Sequence, residues 1–247
     1  MGKIILLGSC PLPIEKKQKA PIGMGVRTWQ FAKPLLKDGH NLYLICLKQR
    51  NTYEDDLEKE QNFIEENNNL KILKLTEEEF INFKNIQNIV DTFIPDCIIA
   101  TTSGLPPYVA TQLITDVPLW IDEYGFIMAE AQMKGFRLKN DYELYNFWRL
   151  EKARLDRADI FSCVSESQKY ALIGELATRG RLNYKTVGYE FVNVMPCAVD
   201  TDEDIQSYKN ISVIRGKFVD KDDFVILFSG SYNTWLDIKS LFYILEK

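Results

Sequence analysis

The chain has 247 residues, with 30 Lys+Arg against 35 Asp+Glu, one His and five Cys; 46% of it is hydrophobic, 26% is charged, and the formal net charge is −5. This is the composition of a soluble globular protein long enough for one or two domains with a sizeable core. The acidic balance argues against a dedicated nucleic-acid binder, and no window approaches the roughly 18 uninterrupted apolar residues of a membrane-spanning helix.

Short β-type apolar runs alternate with longer helical stretches. Lys3–Leu7 predicts a strand, too short for the apolar core of a secretory signal, so a cytoplasmic location is expected. Gly25–Leu36 carries Val26, Trp29, Phe31 and Leu36 in a helical apolar set, with Pro34 inside it. His40 lies at the turn into a second strand, Asn41–Leu47, on the amino side of the sheet, and reads as structural. Residues 51–69 are polar and acidic and predict a surface loop or weak helix. Leu70–Leu75 is a strand. Thr76 and Glu79 form a capping box, and Phe80, Phe83, Ile86, Ile89, Val90 and Phe93 follow at helical spacing.

Cys97–Thr101 predicts a strand buried on both faces, and Leu105–Leu113 a helix with Pro106 and Pro107 in its first turn, where missing amides cost little. Pro118–Asp122 is the next strand, Tyr142–Asp156 a long helix, Ile160–Val164 a strand, and Ser165 the cap of a helix over Glu166–Leu176. Phe191–Met195 is a further strand. This alternation predicts an α/β fold, a Rossmann-like doubly wound parallel sheet, over residues 1–199. Residues 200–223 read as a linker or exposed excursion. Phe224–Ser229, a turn from Gly230, and a helix over Trp235–Leu245 read as the first βα unit of a second, truncated Rossmann-like domain (224–247), or else as one more unit of the first sheet. The cysteines at 10, 46, 97, 163 and 197 form no CxxC pair and read as buried thiols; with a lone His, no metal site and no cofactor are expected.

Ligands of open α/β sheets bind at the carboxyl ends of the strands. Gly23, Gly25 and Arg27 form a GxGxR segment ahead of the first helix, suited to bring backbone amides to a phosphate. It is not a dinucleotide fingerprint, so a nicotinamide enzyme is disfavoured. Thr102, Ser103 and Gly104 offer hydroxyls and amides to a polar ligand, or simply cap a helix. Asp122 and Glu123, at the end of a buried strand, are candidate catalytic carboxylates; neighbours on a strand point to opposite faces, so one at most faces a cleft unless the chain turns there. Glu130 is a second acidic wall. Gly230, Asn233 and Thr234 lie where a diphosphate would be bound.

Taken together, PIGMGVRTWQFAKPLLKDGHNLYLICL, RADIFSCVSESQKYAL and VNVMPCAVD resemble, in order and spacing, the GT-B-fold group 1 glycosyltransferases; PLWIDEYGFIMAEAQ and SGSYNTWLDIKSLF resemble a bacterial subgroup of them. The resemblance implies a retaining enzyme in surface polysaccharide or glycolipid synthesis. Its nucleotide-sugar donor would contact Gly23, Gly25, Arg27, Gly230, Asn233 and Thr234. A glycan or lipid-linked acceptor would contact Thr102, Ser103, Gly104 and Glu130. Where many members have a His, this chain has Asp122 or Glu123. The class grips its donor with a Glu-x7-Glu motif late in a second domain, and no counterpart precedes residue 247, so transfer by this chain alone is not expected. A non-catalytic binding module, degenerate or completed by a partner chain, is the alternative. No nucleic-acid partner is expected. At most weak peripheral association with an inner membrane is expected, through short basic-apolar stretches such as Lys134, Phe136, Arg137, Leu138 and Lys139. An uncovered half-interface would favour a homodimer.

Overall fold

The computed structural model describes residues 1–15, 22–53, 62–67, 69–198, 214–228 and 236–246, with 62–67 described by their backbone. It divides into two units, Met1–Cys197 and Ala198–Lys247. In the first unit the elements run β1 (Lys3–Cys10), α1 (Gly23–Lys37), β2 (Asn41–Lys48), β3 (Asn62–Asn67), β4 (Leu70–Leu75), α2 (Glu77–Ile81), α3 (Lys84–Phe93), β5 (Cys97–Ala100), α4 (Leu105–Gln112), β6 (Leu119–Glu123), α5 (Ile127–Leu138), α6 (Tyr142–Arg157), β7 (Ile160–Cys163), α7 (Glu166–Thr178) and β8 (Val192–Val194). The strands form one sheet in the order β3-β4-β2-β1-β5-β6-β7-β8. Seven are mutually parallel, as the βα alternation predicts, and β3 pairs antiparallel with β4 at the edge.

The pleat sends alternate residues of each strand to opposite faces, and both faces are apolar. Ile5 and Leu7 of β1 join Phe80, Ile86, Val109, Leu155, Phe161 and Leu172 on the side of α2, α3, α4 and α7. Ile4 and Leu6 join Phe31, Leu44, Ile72 and Ile99 on the side of α1. Helices on both faces complete a doubly wound, Rossmann-like sheet.

Several elements differ from the sequence expectation. Strand β3 lies within the stretch read as loop or weak helix; an edge strand needs one partner only, and NFIEEN carries just two apolar residues to signal it. The capping box at Thr76 forms, but the helix expected through Phe93 breaks at Asn82–Phe83 into α2 and α3. Helix α5 was not expected. Its buried stripe is Ile127, Ala131 and Gly135, and two small residues out of three hide the periodicity.

In the second unit, Arg215 donates from Nη1 to the carbonyls of Lys221 and Asp223, closing a turn. The expected strand over Phe224–Ser229 is not present across its described residues, 224–228, whose side chains are exposed apart from a half-buried Val225; Phe224 is 91% exposed. A buried strand requires a ladder on at least one side, and the described residues of this unit supply none. Helix α8 (Ile238–Leu245) forms inside the expected helical stretch, capped by Asp237, which accepts from the Ser240 amide. Residues 200–213 of the expected linker, residue 199 before them, and the 229–235 stretch lie outside the described residues.

Candidate functional site

From β1 the chain passes to β2 on one side, while β5 lies on the other, so the loops after β1 and β5 part at the carboxyl edge of the sheet. This topological switch point is where open α/β sheets form a ligand crevice. Helix α1 opens onto it. Its first turn begins at Gly23, with Ile22 extended as N-cap, so Gly23 and Gly25 belong to the helix and not to a preceding loop. The first internal bond runs from the Val26 amide to the Ile22 carbonyl at 3.0 Å, and the amides of Gly23, Met24 and Gly25 have no acceptor within the helix. The exposed Gly23 and half-buried Met24 present the positive end of the helix dipole outward, while Gly25 is buried.

The two glycines do different work. A Cβ on Gly25 would overlap the carbonyl oxygen of Pro11, and one on Gly8 would overlap Thr28. Bare backbone at both places lets the helix end seat directly on β1. Thr28 then pins it: its Oγ1 accepts from the Ser9 amide (3.0 Å), donates to the Met24 carbonyl (2.9 Å) and lies 3.1 Å from Thr101 Oγ1. Gly23 is exposed, and among the described residues a Cβ there would meet only the Tyr124 hydroxyl, at 3.4 Å.

Arg27 and Asp122 are brought together. Arg27, 3% exposed, donates from Nε and Nη2 to the two oxygens of Asp122 at 2.9 Å each, and from Nη2 and Nη1 to the carbonyls of Met195 (2.9 Å) and Pro196 (3.1 Å). Asp122, 0% exposed, also accepts from Ser162 Oγ at 2.6 Å, and Ser162 in turn accepts from Trp120 Nε1 at 3.0 Å. Four of the five guanidinium N–H groups are thus spent inside the protein. Arg27 binds α1 to β6 and to the chain after β8; it does not extend into the crevice as a free ligand for phosphate. Burial alone would lower its affinity for a proton, but the bond to Asp122 and the charge of Asp122 more than restore it.

Glu123 points to the other face, as strand alternation requires, and is equally enclosed. It meets Arg154 Nη1 at 3.2 Å, and Arg154, wholly buried, also pairs with Glu151. Burial pushes the Glu123 carboxyl up to about 7, with Arg154 opposing and Asp122 and Glu175 adding to the rise. Neither expected catalytic carboxylate therefore faces solvent. Each is held by an arginine beneath the carboxyl edge. Arg154 escaped the sequence reading, although a signal existed: Glu151 and Arg154 share the helical face of Leu150 and Leu155, where charge implies a buried partner.

The loop after β5 carries strain. Thr102 has φ 70°, in the left-handed region that a β-branched residue rarely occupies, and its fully buried Oγ1 lacks a partner among the described residues. Ser103 and Gly104 are half-buried, and Gly104 takes φ 101°. Across the edge, Tyr124 lies with its ring 5.8 Å from the Arg27 guanidinium. Burial raises its hydroxyl pKa, helped by the neighbouring Cys197 thiol, which is exposed contrary to expectation. Glu130 stands in the first turn of α5, not in a loop, and a Cβ on Gly125 would lie 3.2 Å from its Oε1. Burial raises the Glu130 carboxyl, with Lys134 opposing. Thr102 to Gly104, Tyr124, Glu130 and the α1 N-terminus therefore share one edge of the sheet. Gly230, Asn233 and Thr234 lie outside the described residues.

No family model and no curated protein matches the chain. Among solved structures, it is similar to a sucrose-phosphate synthase from Thermosynechococcus elongatus, with a TM-score of 0.46 and 13% identity over 80% of this chain and 90% of that one. It is also similar to LpCGTa solved in complex with UDP, with a TM-score of 0.44 and 10% identity over 81% of this chain; the match spans 54% of that chain, about half its length.

Proposed function

We propose that this chain is the acceptor-side part of a glycosyltransferase, which moves a sugar from a nucleotide-sugar donor to a glycan or lipid-linked acceptor in surface polysaccharide or glycolipid synthesis. The observation that carries the proposal is the glycine-opened N-terminus of α1 at the switch point, where the amides of Gly23 to Gly25 have no acceptor within the helix. Sugar transfer leaves a nucleoside diphosphate behind, and amides fixed at a helix N-terminus stabilise the charge that develops on it without rearrangement at the moment of reaction. Of the segments that resemble the GT-B group 1 class, PIGMGVRTWQFAKPLLKDGHNLYLICL carries this helix, and a retaining outcome is part of that resemblance.

In this reading Arg27 is a positioning residue. Its bonds to Asp122 and to the 195–196 carbonyls hold the helix end at a fixed height over the crevice. The strained Thr102 loop and Glu130 offer hydroxyl, amide and carboxylate groups suited to sugar hydroxyls. A carboxyl raised by burial accepts a proton more readily near neutral pH than an exposed one.

The test is calorimetric titration of the chain with nucleoside diphosphates and nucleotide sugars, alongside Gly23→Asp. Position 23 is exposed, and an acidic residue in a first helical turn favours folding, so this variant keeps the helix while repelling a diphosphate. Saturable binding by the natural chain, weakened about tenfold in the variant, is expected. A folded sample that binds none of the panel at millimolar concentrations would sink the donor role of α1 and favour the non-catalytic binding module.

A further inference from the structure

A cavity of about 550 Å³ opens between α2, α4 and α6, separate from the α1 N-terminus. Ile81, Phe83, Leu105, Phe147 and Leu150 give it an apolar lining. Among its described lining residues one cation stands, Arg149. Arg149 donates from Nη1 to the Tyr108 hydroxyl at 3.0 Å, reaches Asn146 Oδ1 at 3.5 Å and lies 5.0 Å from the Tyr108 ring centroid. All these partners are neutral, and among the described residues no carboxylate pairs with Arg149. The acid that lines the same cavity, Glu77, is taken by Arg50 at 2.6 Å. The N-terminus of α4 adds little for an anion, because Pro106 and Pro107 supply no amides in its first turn.

An unpaired guanidinium beside an apolar lining, on a chain of net charge −5, is complementary to a small molecule that joins an anion to an apolar body. We propose that the α2–α4–α6 cavity binds an anionic amphiphile, with its phosphate or carboxylate on Arg149 and its apolar chain against Ile81, Leu105 and Phe147. Gly104, at the end of the strained loop after β5, also lines the cavity, so the occupant lies next to the switch-point crevice. The site is independent of the diphosphate proposal and fails or holds without it.

The test is calorimetric titration of the full chain with monomeric dodecyl phosphate, below its micellar concentration, with folding checked by circular dichroism. Saturable binding at one site is expected. It should weaken about tenfold in Arg149→Gln and be far stronger than binding of dodecyl maltoside or inorganic phosphate. Ile81→Glu alters an exposed lining position and should also weaken it, which keeps the proposal testable if the Arg149 variant unfolds. The proposal is overturned by no saturable binding, by unchanged affinity in the folded variants, or by equal affinity for dodecyl maltoside. Binding to phosphatidylglycerol vesicles without binding of the monomer would also overturn it, because that marks a lipid-surface contact and not a cavity.

Discussion

Arg27 and Asp122 stand 95 residues apart and meet in the interior through two parallel hydrogen bonds. Removing one partner of such a pair leaves the other charge buried and uncompensated, which costs more than the pair itself contributes. Asp122→Asn should therefore lower the unfolding free energy in urea by about 3–5 kcal/mol. A loss below about 1 kcal/mol would mean that Asp122 is not the anchor of α1. Glu123 makes a different prediction. Its carboxyl ionises at about 7 in the folded chain, against an ordinary value of 4.5. Between those values the folded state holds the proton more tightly than the unfolded one. The stability this group contributes is full below about 4.5 and is lost as pH rises to about 7. Glu123→Gln cannot ionise, so the melting temperature of the natural chain should fall more steeply from pH 5 to pH 8 than that of the variant. Glu175, raised in the same direction by burial, retains part of the slope in both. Equal slopes would place the proton elsewhere. The residue types at 27, 122 and 123 were legible as chemically significant, but their partners were not: nothing local marks which arginine meets which carboxylate.

Helix α1 shows the same division at the level of the element. Its apolar face and its stop at Asp38-Gly39 follow from residues a few positions apart, and the helix was read nearly at its observed bounds. What Gly25 is for depends on Pro11, which lies just after β1 and 14 residues away in sequence. A methyl group at 25 must push the helix end off the Pro11 carbonyl. Gly25→Ala should cost about 1–3 kcal/mol despite the better helix propensity of alanine, and should weaken any ligand of the crevice. A variant as stable as the natural chain would show that the helix end seats less closely on β1. Capping was legible at Thr76 and Ser165 because the motif spans three residues. Helix α5 was not, since its core stripe uses Ala131 and Gly135, whose contribution is closeness of approach and not apolar area.

For the whole molecule, the sheet, both apolar faces and the Arg27 anchor lie within Met1–Cys197. A chain ending at Cys197 should fold and melt cooperatively within about 3 °C of the full chain, as followed by circular dichroism. A much lower melting temperature would show that Ala198–Lys247 stabilises the sheet. Alternating strands and helices predicted a doubly wound parallel sheet, and seven parallel strands carry it; the antiparallel edge strand β3 and the largely exposed residues 224–228, which pair with no strand among the described residues, departed from the pattern. An apolar run such as FVILF states that a segment favours a strand, but a strand exists only where another offers it a ladder. The sequence by itself determined the periodicities, caps and breaks, because these depend on interactions within a turn or two of the chain. The tertiary structure alone decided the pairing of Arg27 with Asp122, the contact of Gly25 with Pro11, the strained pose of Thr102 and the cavity around Arg149. Those follow from close packing between residues that are distant in sequence, where the partner and not the residue sets the role.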